Sequence, residues 1–159
     1  MLNMTEIECC IKTDRSTVND LSELELIPEN DTTTFINGSW KFTAAVASPW
    51  PMHIFAEHYI RGEWLIQAYD RHYKDFCDAI KNPVEPWYYA TKDLKQCPIP
   101  AETVWFFDMV PIKWPKSLLN AIPPHYMGRW RISYDGEYKE ADGTIRKDCQ
   151  RGYGDAFID

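Results

Sequence analysis

The alternation that decides the fold lies in residues 128–139, whose sequence is GRWRISYDGEYK. Its apolar side chains occupy even-numbered positions (Trp130, Ile132, Tyr134 and Tyr138), and its polar ones occupy odd-numbered positions (Arg129, Arg131, Ser133, Glu137 and Lys139). Because successive side chains of a β-strand point to opposite faces, this pattern predicts a strand with one buried and one wet face. Such strands are typical of antiparallel sheets.

Strands are also predicted on either side of this segment. Asp142-Gly143 is a strong hairpin turn, and it would join residues 128–140 to a last strand near 145–158. MHIFAEHYI (52–60) and EWLIQAY (63–69) are predicted to form another hairpin through Arg61-Gly62. The chain is therefore predicted to be built mainly from antiparallel pairs.

Two more segments are predicted to be strands of different kinds. WKFTAAV (40–46) alternates, with Trp40, Phe42, Ala44 and Val46 on one face. TVWFFDMV (103–110) is apolar on both faces, which predicts a central strand between two layers.

Two short helices are predicted between the strands. Apolar residues recur at helical spacing in residues 73–80 and again in 86–94, and Asn82-Pro83 ends the first of these stretches. The sequence has no internal repeat and no Gly/Ser linker. We therefore predict a single domain over residues 1–159: an antiparallel β-cup or sandwich of about seven to eight strands, with two short helices at its rim.

Charge and hydropathy restrict the partners. The net charge is −7, and residues 1–34 hold eight acidic and two basic side chains, a local balance of −6. Such a field repels polyanions, so we expect no nucleic-acid partner. No apolar run reaches the length of a membrane span, so the chain is not expected to be transmembrane. Met1 is not followed by a signal peptide, and secretion would require a leader that has been removed.

The cysteines and sequons favour an extracellular setting. Five cysteines (Cys9, Cys10, Cys77, Cys97 and Cys149) have no metal-ligand spacing, so neither a metal site nor a cofactor is expected. Two bridges and one spare thiol allow about fifteen connectivities, and five reduced cytosolic thiols are the alternative. Asn30 and Asn37 begin glycosylation sequons in a polar, turn-like stretch.

Several motifs together resemble a known group. They are NGSWKFT (37–43), the FC…NP…PWY…TK…CP stretch of residues 76–98, GRWR (128–131) and KDCQRGYGD (147–155). They are similar to secreted insect proteins related to the ganglioside-activator and ML lipid-recognition group, some of which are chemosensory. The likeness covers about residues 35–159.

The resemblance implies a β-cup that takes a lipid or another small hydrophobic ligand and has no catalytic residues. It also implies that Cys77 pairs with Cys97 and that Cys149 pairs with Cys10 or Cys9. Candidate cavity residues are the inward-facing apolar ones: Trp40, Phe42, Val46, Ile54, Trp64, Trp105, Phe107, Trp130, Ile132 and Tyr134. Candidate rim residues are Trp50, Trp87, Tyr88 and Trp114.

Alternatives remain open from the residues alone. Alternating aromatic and aliphatic side chains also form solid cores, and the rim aromatics could pack under loops. A second functional hypothesis is a protein-binding module, a co-receptor or an activator that presents lipid to a partner. An enzyme is not expected, because His53 and His58 would lie on opposite faces of one strand and no nucleophile motif is present.

Overall fold

The computed structural model describes residues 2–10, 18–30, 33–85, 87–93, 97–113, 126–140 and 142–156. Within these ranges the chain is mostly β and contains two antiparallel sheets and two short helices. The larger sheet contains β1 (Leu2–Cys9), β5 (Met52–Ile60), β6 (Glu63–Tyr73), β8 (Gly128–Lys139) and β9 (Ile145–Ala156). The smaller sheet contains β2 (Asn19–Asp20), β3 (Leu24–Asn30), β4 (Thr33–Phe42) and β7 (Val104–Lys113). The helices are α1 (Phe76–Ala79) and α2 (Tyr88–Thr91).

The larger sheet has the strand order β1-β9-β8-β5-β6. The predicted hairpins are present, because β8 pairs with β9 from Gly128↔Ala156 to Lys139↔Ile145, and β5 pairs with β6. The segment 128–139 is therefore an interior strand, with β9 on one side and β5 on the other. The mostly β, antiparallel sandwich with two short helices agrees with the fold class predicted from the sequence.

The smaller sheet is organised around β4, which pairs with β2 and β3 along one edge and with β7 along the other. The prediction that residues 103–110 form a strand covered on both faces is wrong. Among the described residues β7 pairs only with β4, and Phe106 on its outer face is 82% exposed. A bulge between the Gly38↔Phe107 and Ile36↔Val110 pairs places Met109 at a positive φ of 49°.

The two sheets enclose a core that is dense in aromatic rings. Its fully buried members include Val18, Phe42, Val46 and Trp50, and they pack with Phe76 and Ile80 from the α1 region. Each such side chain contributes about 1.5–3 kcal/mol by leaving water. At the sides of the sandwich β1 lies beside β3, and α2 lies against β7. The interior is therefore bounded by strands on one side and by a helix on the other.

The helical segment is tied to the core by polar contacts and a disulfide. Asp75 caps α1 by accepting hydrogen bonds from the backbone N–H groups of Cys77 (3.1 Å) and Trp50 (3.2 Å). The Thr91 hydroxyl donates to the Ile80 carbonyl (2.7 Å), which holds α2 against α1. Both helices are shorter than the predicted stretches 73–80 and 86–94.

Two disulfides are present, which confirms disulfide bonding. Cys77 is bonded to Cys97, and Cys10 is bonded to Cys149. In the β1–β9 ladder Cys9 is level with Gln150, whereas the Cys10 amide donates to the Cys149 carbonyl (3.2 Å). The register therefore selects Cys10 as the partner. Disulfides are typical of extracellular proteins. Among the described residues, the structure contains no helix with the length and apolarity of a membrane span.

Gly38 and Gly62 provide a matched test of the β3–β4 packing. Both have positive φ, 103° and 92°, but a Cβ on Gly38 would collide with the Glu23 carbonyl oxygen, whereas a Cβ on Gly62 meets nothing within 4 Å. We expect Gly62→Ala to lower the unfolding free energy by about 1–2 kcal/mol, because only the backbone conformation is strained. We expect Gly38→Ala to cost at least about 3 kcal/mol, because the clash adds to that strain. Urea denaturation checks both values, and equal losses would contradict the clash.

Candidate functional site

One half of the interior is filled by closely packed aromatic rings. The Phe42 ring centroid is 4.4 Å from that of Trp105 and 5.2 Å from that of Trp40, and Trp50 lies 4.5 Å from Phe76. Phe42 and Val46 have no exposed surface. These expected cavity residues are therefore core, together with Phe107, which is 6% exposed.

The other half begins two residues along β8 from Tyr134, at Ile132. Ile132 faces the interior, because it alternates with Trp130 and Tyr134 and is level with Ala56 on β5 and Gly152 on β9. All three keep partial solvent exposure, although β8 and β5 have neighbouring strands on both edges. A side chain on a strand with neighbours on both edges can contact solvent only from above or below the sheet. Solvent therefore reaches the inner face of the larger sheet at this row.

Small residues leave this part of the larger sheet bare. The row consists of Ile7, Gly152, Ile132 and Ala56, and Gly154 follows in the next row. We call these five residues the chamber floor. Glycine and alanine project little or nothing above the sheet, so Ile7 and Ile132 contribute most of its side-chain surface. The floor is therefore apolar and lightly filled.

The smaller sheet presents aliphatic side chains along its half away from the packed rings. Moving along β4 from Phe42, the inward positions pass Trp40 and Gly38 and reach Ile36. Ile36 is level with Leu26 on β3 and with Val110 on β7. Leu26 and Val110 are half-buried, whereas Ile36 is 9% exposed. An apolar wall thus continues beyond the packed rings on this sheet as well.

Trp130 and His58 occupy the inner face in the row of Gly154, at one end of the chamber floor. Their rings stack at 4.5 Å, and they are 5% and 3% exposed. Trp130 donates its indole N–H to the Tyr126 carbonyl (2.7 Å), and His58 Nε2 is 3.1 Å from the Met127 carbonyl. The Trp130 ring therefore fills this end of the inner face, and the hydrogen bond from its indole N–H to the Tyr126 carbonyl fixes its position.

A buried polar cluster joins the two sheets beside the packed rings. Asn19 on β2 donates its side-chain N–H to the Asp148 carboxylate on β9 and accepts the Trp40 indole N–H (2.8 Å). Gln150 donates to the Asn19 backbone carbonyl (2.9 Å). Asp148, Asn19 and Gln150 are each at most 8% exposed. This polar cluster was missed from the sequence, because no spacing relates residues 129 positions apart.

Burial governs the ionisation of this cluster. It raises the pKa of Asp148 to about 6, although hydrogen bonds from Asn19 and the Cys149 amide favour the carboxylate. Burial and the nearby Asp148 charge also raise the pKa of Tyr134 well above its usual value. The interior therefore penalises charge even where hydrogen bonds are available.

Trp64, an expected cavity residue, lies on the outer face of the larger sheet. It is level with Tyr59, and β5 residues with odd numbers face outward. The Arg131 guanidinium lies 4.4 Å above its ring and forms a two-point ion pair with Glu57 (2.5 and 2.8 Å). Trp64 thus covers an ion pair and is not part of the chamber.

The rim candidates have different environments. Trp50 is completely buried beneath Phe76, because its backbone carbonyl accepts the Phe76 N–H (2.8 Å) and fixes it against α1. Trp87 and Tyr88 are half-buried at the start of α2, with the Trp87 ring 5.9 Å from Tyr73. Trp114 lies outside the described residues. The expectation of a rim role is therefore wrong for Trp50.

No protein-family model matches the chain, and no curated protein matches it.

The raised pKa of Asp148 predicts a pH-dependent stability. The Asp148 carboxyl group contributes to the unfolding free energy most fully below its unfolded pKa of about 4, where it is protonated in both states. This contribution is lost as the pH rises through the folded pKa of about 6. We expect the unfolding free energy of the wild type, minus that of Asp148→Asn, to fall by about 2–3 kcal/mol between about pH 4 and pH 7.

Urea denaturation at a series of pH values measures this difference. The control is Asp142→Asn, since Asp142 is exposed and a hydrogen bond from the Thr144 amide lowers its pKa, which gives a pH dependence of opposite sign. A wild-type–Asp148→Asn difference that does not change with pH would show that Asp148 ionises as in water.

Proposed function

We propose that the chain is a secreted, non-enzymatic binding protein for a lipid or another small hydrophobic molecule, held between the two sheets over the chamber floor. The observation that carries the proposal is the partial exposure of Ile132 and Ala56, inward-facing residues on interior strands. An accessible apolar surface between two sheets is the kind of wall that a hydrophobic ligand would cover. The two disulfides support an extracellular setting.

The chemistry of the walls supports an aliphatic guest. Ile132, Leu26, Ile36 and Val110 offer branched hydrocarbon surface, and the glycines admit close approach of a chain to the backbone. Removing roughly 300 Å² of ligand from water is worth about 7 kcal/mol before ordering costs. Burial of a single acyl chain is thus enough for micromolar binding.

Glycosylation is part of the proposed secreted state. Asn30 is exposed at the end of β3, and Asn37 is half-buried on the outer face of β4, away from the interior. A glycan on either asparagine would extend from the smaller sheet without entering the chamber.

Ala56→Phe tests the chamber directly. If the space over Ala56 is the ligand site, the added ring fills it, and the affinity for a fluorescent fatty acid should fall at least about tenfold while the melting temperature holds or rises. The control is Ala101→Phe, because Ala101 is exposed in a turn. Fluorescence titration and thermal melting are measured on the same samples.

A solid interior would give the opposite results. If the interior is solid, Ala56→Phe overpacks the core and lowers stability by about 1–3 kcal/mol, and the wild type binds no fatty acid. That pair of results would remove the carrier hypothesis and leave only a disulfide-bonded scaffold.

A second candidate function, protein binding, is favoured by the outer face of β7. Phe106 is 82% exposed, and Val104 on the same face is 37% exposed. Large apolar side chains on a solvent-facing strand are typical of contact surfaces. We expect Phe106→Ser to abolish capture of a partner protein while fatty-acid binding is retained, and pull-down with wild type and variant at equal loading measures this. Loss of both activities would instead indicate damage to the fold.

A further inference from the structure

Two histidines and one aspartate converge on the outer face of the larger sheet. His53 on β5 and His72 on β6 are cross-strand partners, and Asp70 lies two residues before His72 on the same face. Both Nε2 atoms approach the same oxygen, Asp70 Oδ1, at 2.6 Å from His53 and 3.9 Å from His72. The donor atoms of all three side chains lie within 4.8 Å of one another.

Ring stacking holds the two imidazoles in place. The His53 ring lies between Phe55 and His72, with centroid distances of 4.4 Å and 3.9 Å and interplanar angles of 28° and 10°. Phe55 is only 7% exposed, so the stack rests on a buried ring. Stacking thus orients two nearly parallel imidazoles so that both Nε2 atoms approach the Asp70 carboxylate. The His53 position in particular is fixed from both faces of its ring.

We propose that His53, Asp70 and His72 form a binding site for a divalent transition-metal ion such as Zn²⁺ or Ni²⁺. Two imidazole nitrogens and one carboxylate oxygen are donors that zinc and its neighbours accept, whereas calcium and magnesium prefer oxygen alone. With three protein ligands, the remaining coordination positions are open to water or to a ligand from outside. The site assigned here goes beyond lipid binding and does not depend on it.

The distances fit a metal after a small adjustment. Donor atoms on one tetrahedral Zn²⁺ lie about 3.3 Å apart, because each bond is about 2.0–2.1 Å long. The observed distances of 2.6 and 3.9 Å to Asp70 Oδ1 lie on either side of that value. The side chains of Asp70 and His72 are 53% and 76% exposed, so both can make the shift of less than about 1 Å that a shared metal ion requires. His53, at 23% exposure, is the fixed ligand.

A further carboxylate lies in the same row of the outer face. Asp135 on β8 is the cross-strand partner of His53 on the side opposite His72, so Asp135, His53 and His72 form one row across three strands. Asp135 is exposed on the same outer face. Its carboxylate lies within 4.8 Å of the Cys10 and Cys149 sulfurs, on the side of β9, so Asp135 is a neighbour in the row and not a fourth ligand.

Isothermal titration of the full, untagged chain with Zn²⁺ and Ni²⁺ tests the site. We expect one equivalent to bind, with His53→Gln, His72→Gln and Asp70→Asn each weakening affinity at least about tenfold. Asp142→Asn is the matched control for Asp70→Asn, since it removes an exposed carboxylate that is not part of the cluster, and Ca²⁺ and Mg²⁺ should give no comparable binding. A metal-dependent rise in melting temperature should appear in the wild type and be lost in the three variants.

His72→Gln decides the matter if His53→Gln fails to fold, because His72 is mostly exposed on the outermost strand of its sheet. Unchanged affinity in folded His72→Gln, or the absence of any binding by the wild type, would overturn the site and leave a stacked pair of rings with an ion pair. The fatty-acid titration is independent of both results, so failure of the metal site and failure of the carrier function are distinguished.

Discussion

The pleat of β5 and β8 is the constraint on which the rest of the structure depends. Both strands have neighbours on each edge, so every side chain must enter the interior or lie on the outer face. On β5 the even-numbered residues Ile54, Ala56 and His58 face inward, and the odd-numbered His53, Phe55 and Glu57 face outward. One strand thus contributes Ala56 to the chamber floor on its inner face, and His53 and Glu57 to the polar contacts of its outer face. A shift of one residue would exchange them.

An ion pair on the outer face joins β5 to β8 behind the chamber floor. Burial raises the pKa of Glu57, but hydrogen bonds from Arg131 and Ser133 more than offset this and leave the pKa lowered. Arg131 is in turn covered by Trp64. This ion pair joins β5 to β8 at positions adjacent to Ala56 and Ile132. A shielded two-point pair is stronger than an exposed one, so it joins β5 to β8 firmly from the outer face, beside Ala56 and Ile132.

The sequence predicts which face of a strand each side chain occupies, because that depends on alternation alone. It does not predict which residues lie opposite each other on neighbouring strands, because that depends on register. The two faces of β8 follow from the pattern in residues 128–139, and so does the hairpin through Arg61-Gly62. The partner of His53 does not, because a bulge of two extra residues in β6 lies between the pairs Glu57↔Ile66 and Phe55↔Asp70. Without those residues His53 would be level with Asp70, whereas with them it is level with His72. Trp50 was misplaced for a similar reason, since its burial depends on α1.

The direction in which Tyr134 leans explains why one half of the interior is packed and the other open. Gly136 and Gly152 both leave bare backbone on the inner face, so glycine alone does not create space. At Gly136 the space is taken, because an added Cβ would collide with the Tyr134 ring and hydroxyl and would meet Trp50 Nε1 at 3.0 Å. Tyr134 therefore leans toward Gly136 and away from Ile132, two residues back along β8. The Tyr134 side chain therefore leaves the Gly152 row uncovered on its side, and the partial exposure of Ile132 follows from that direction.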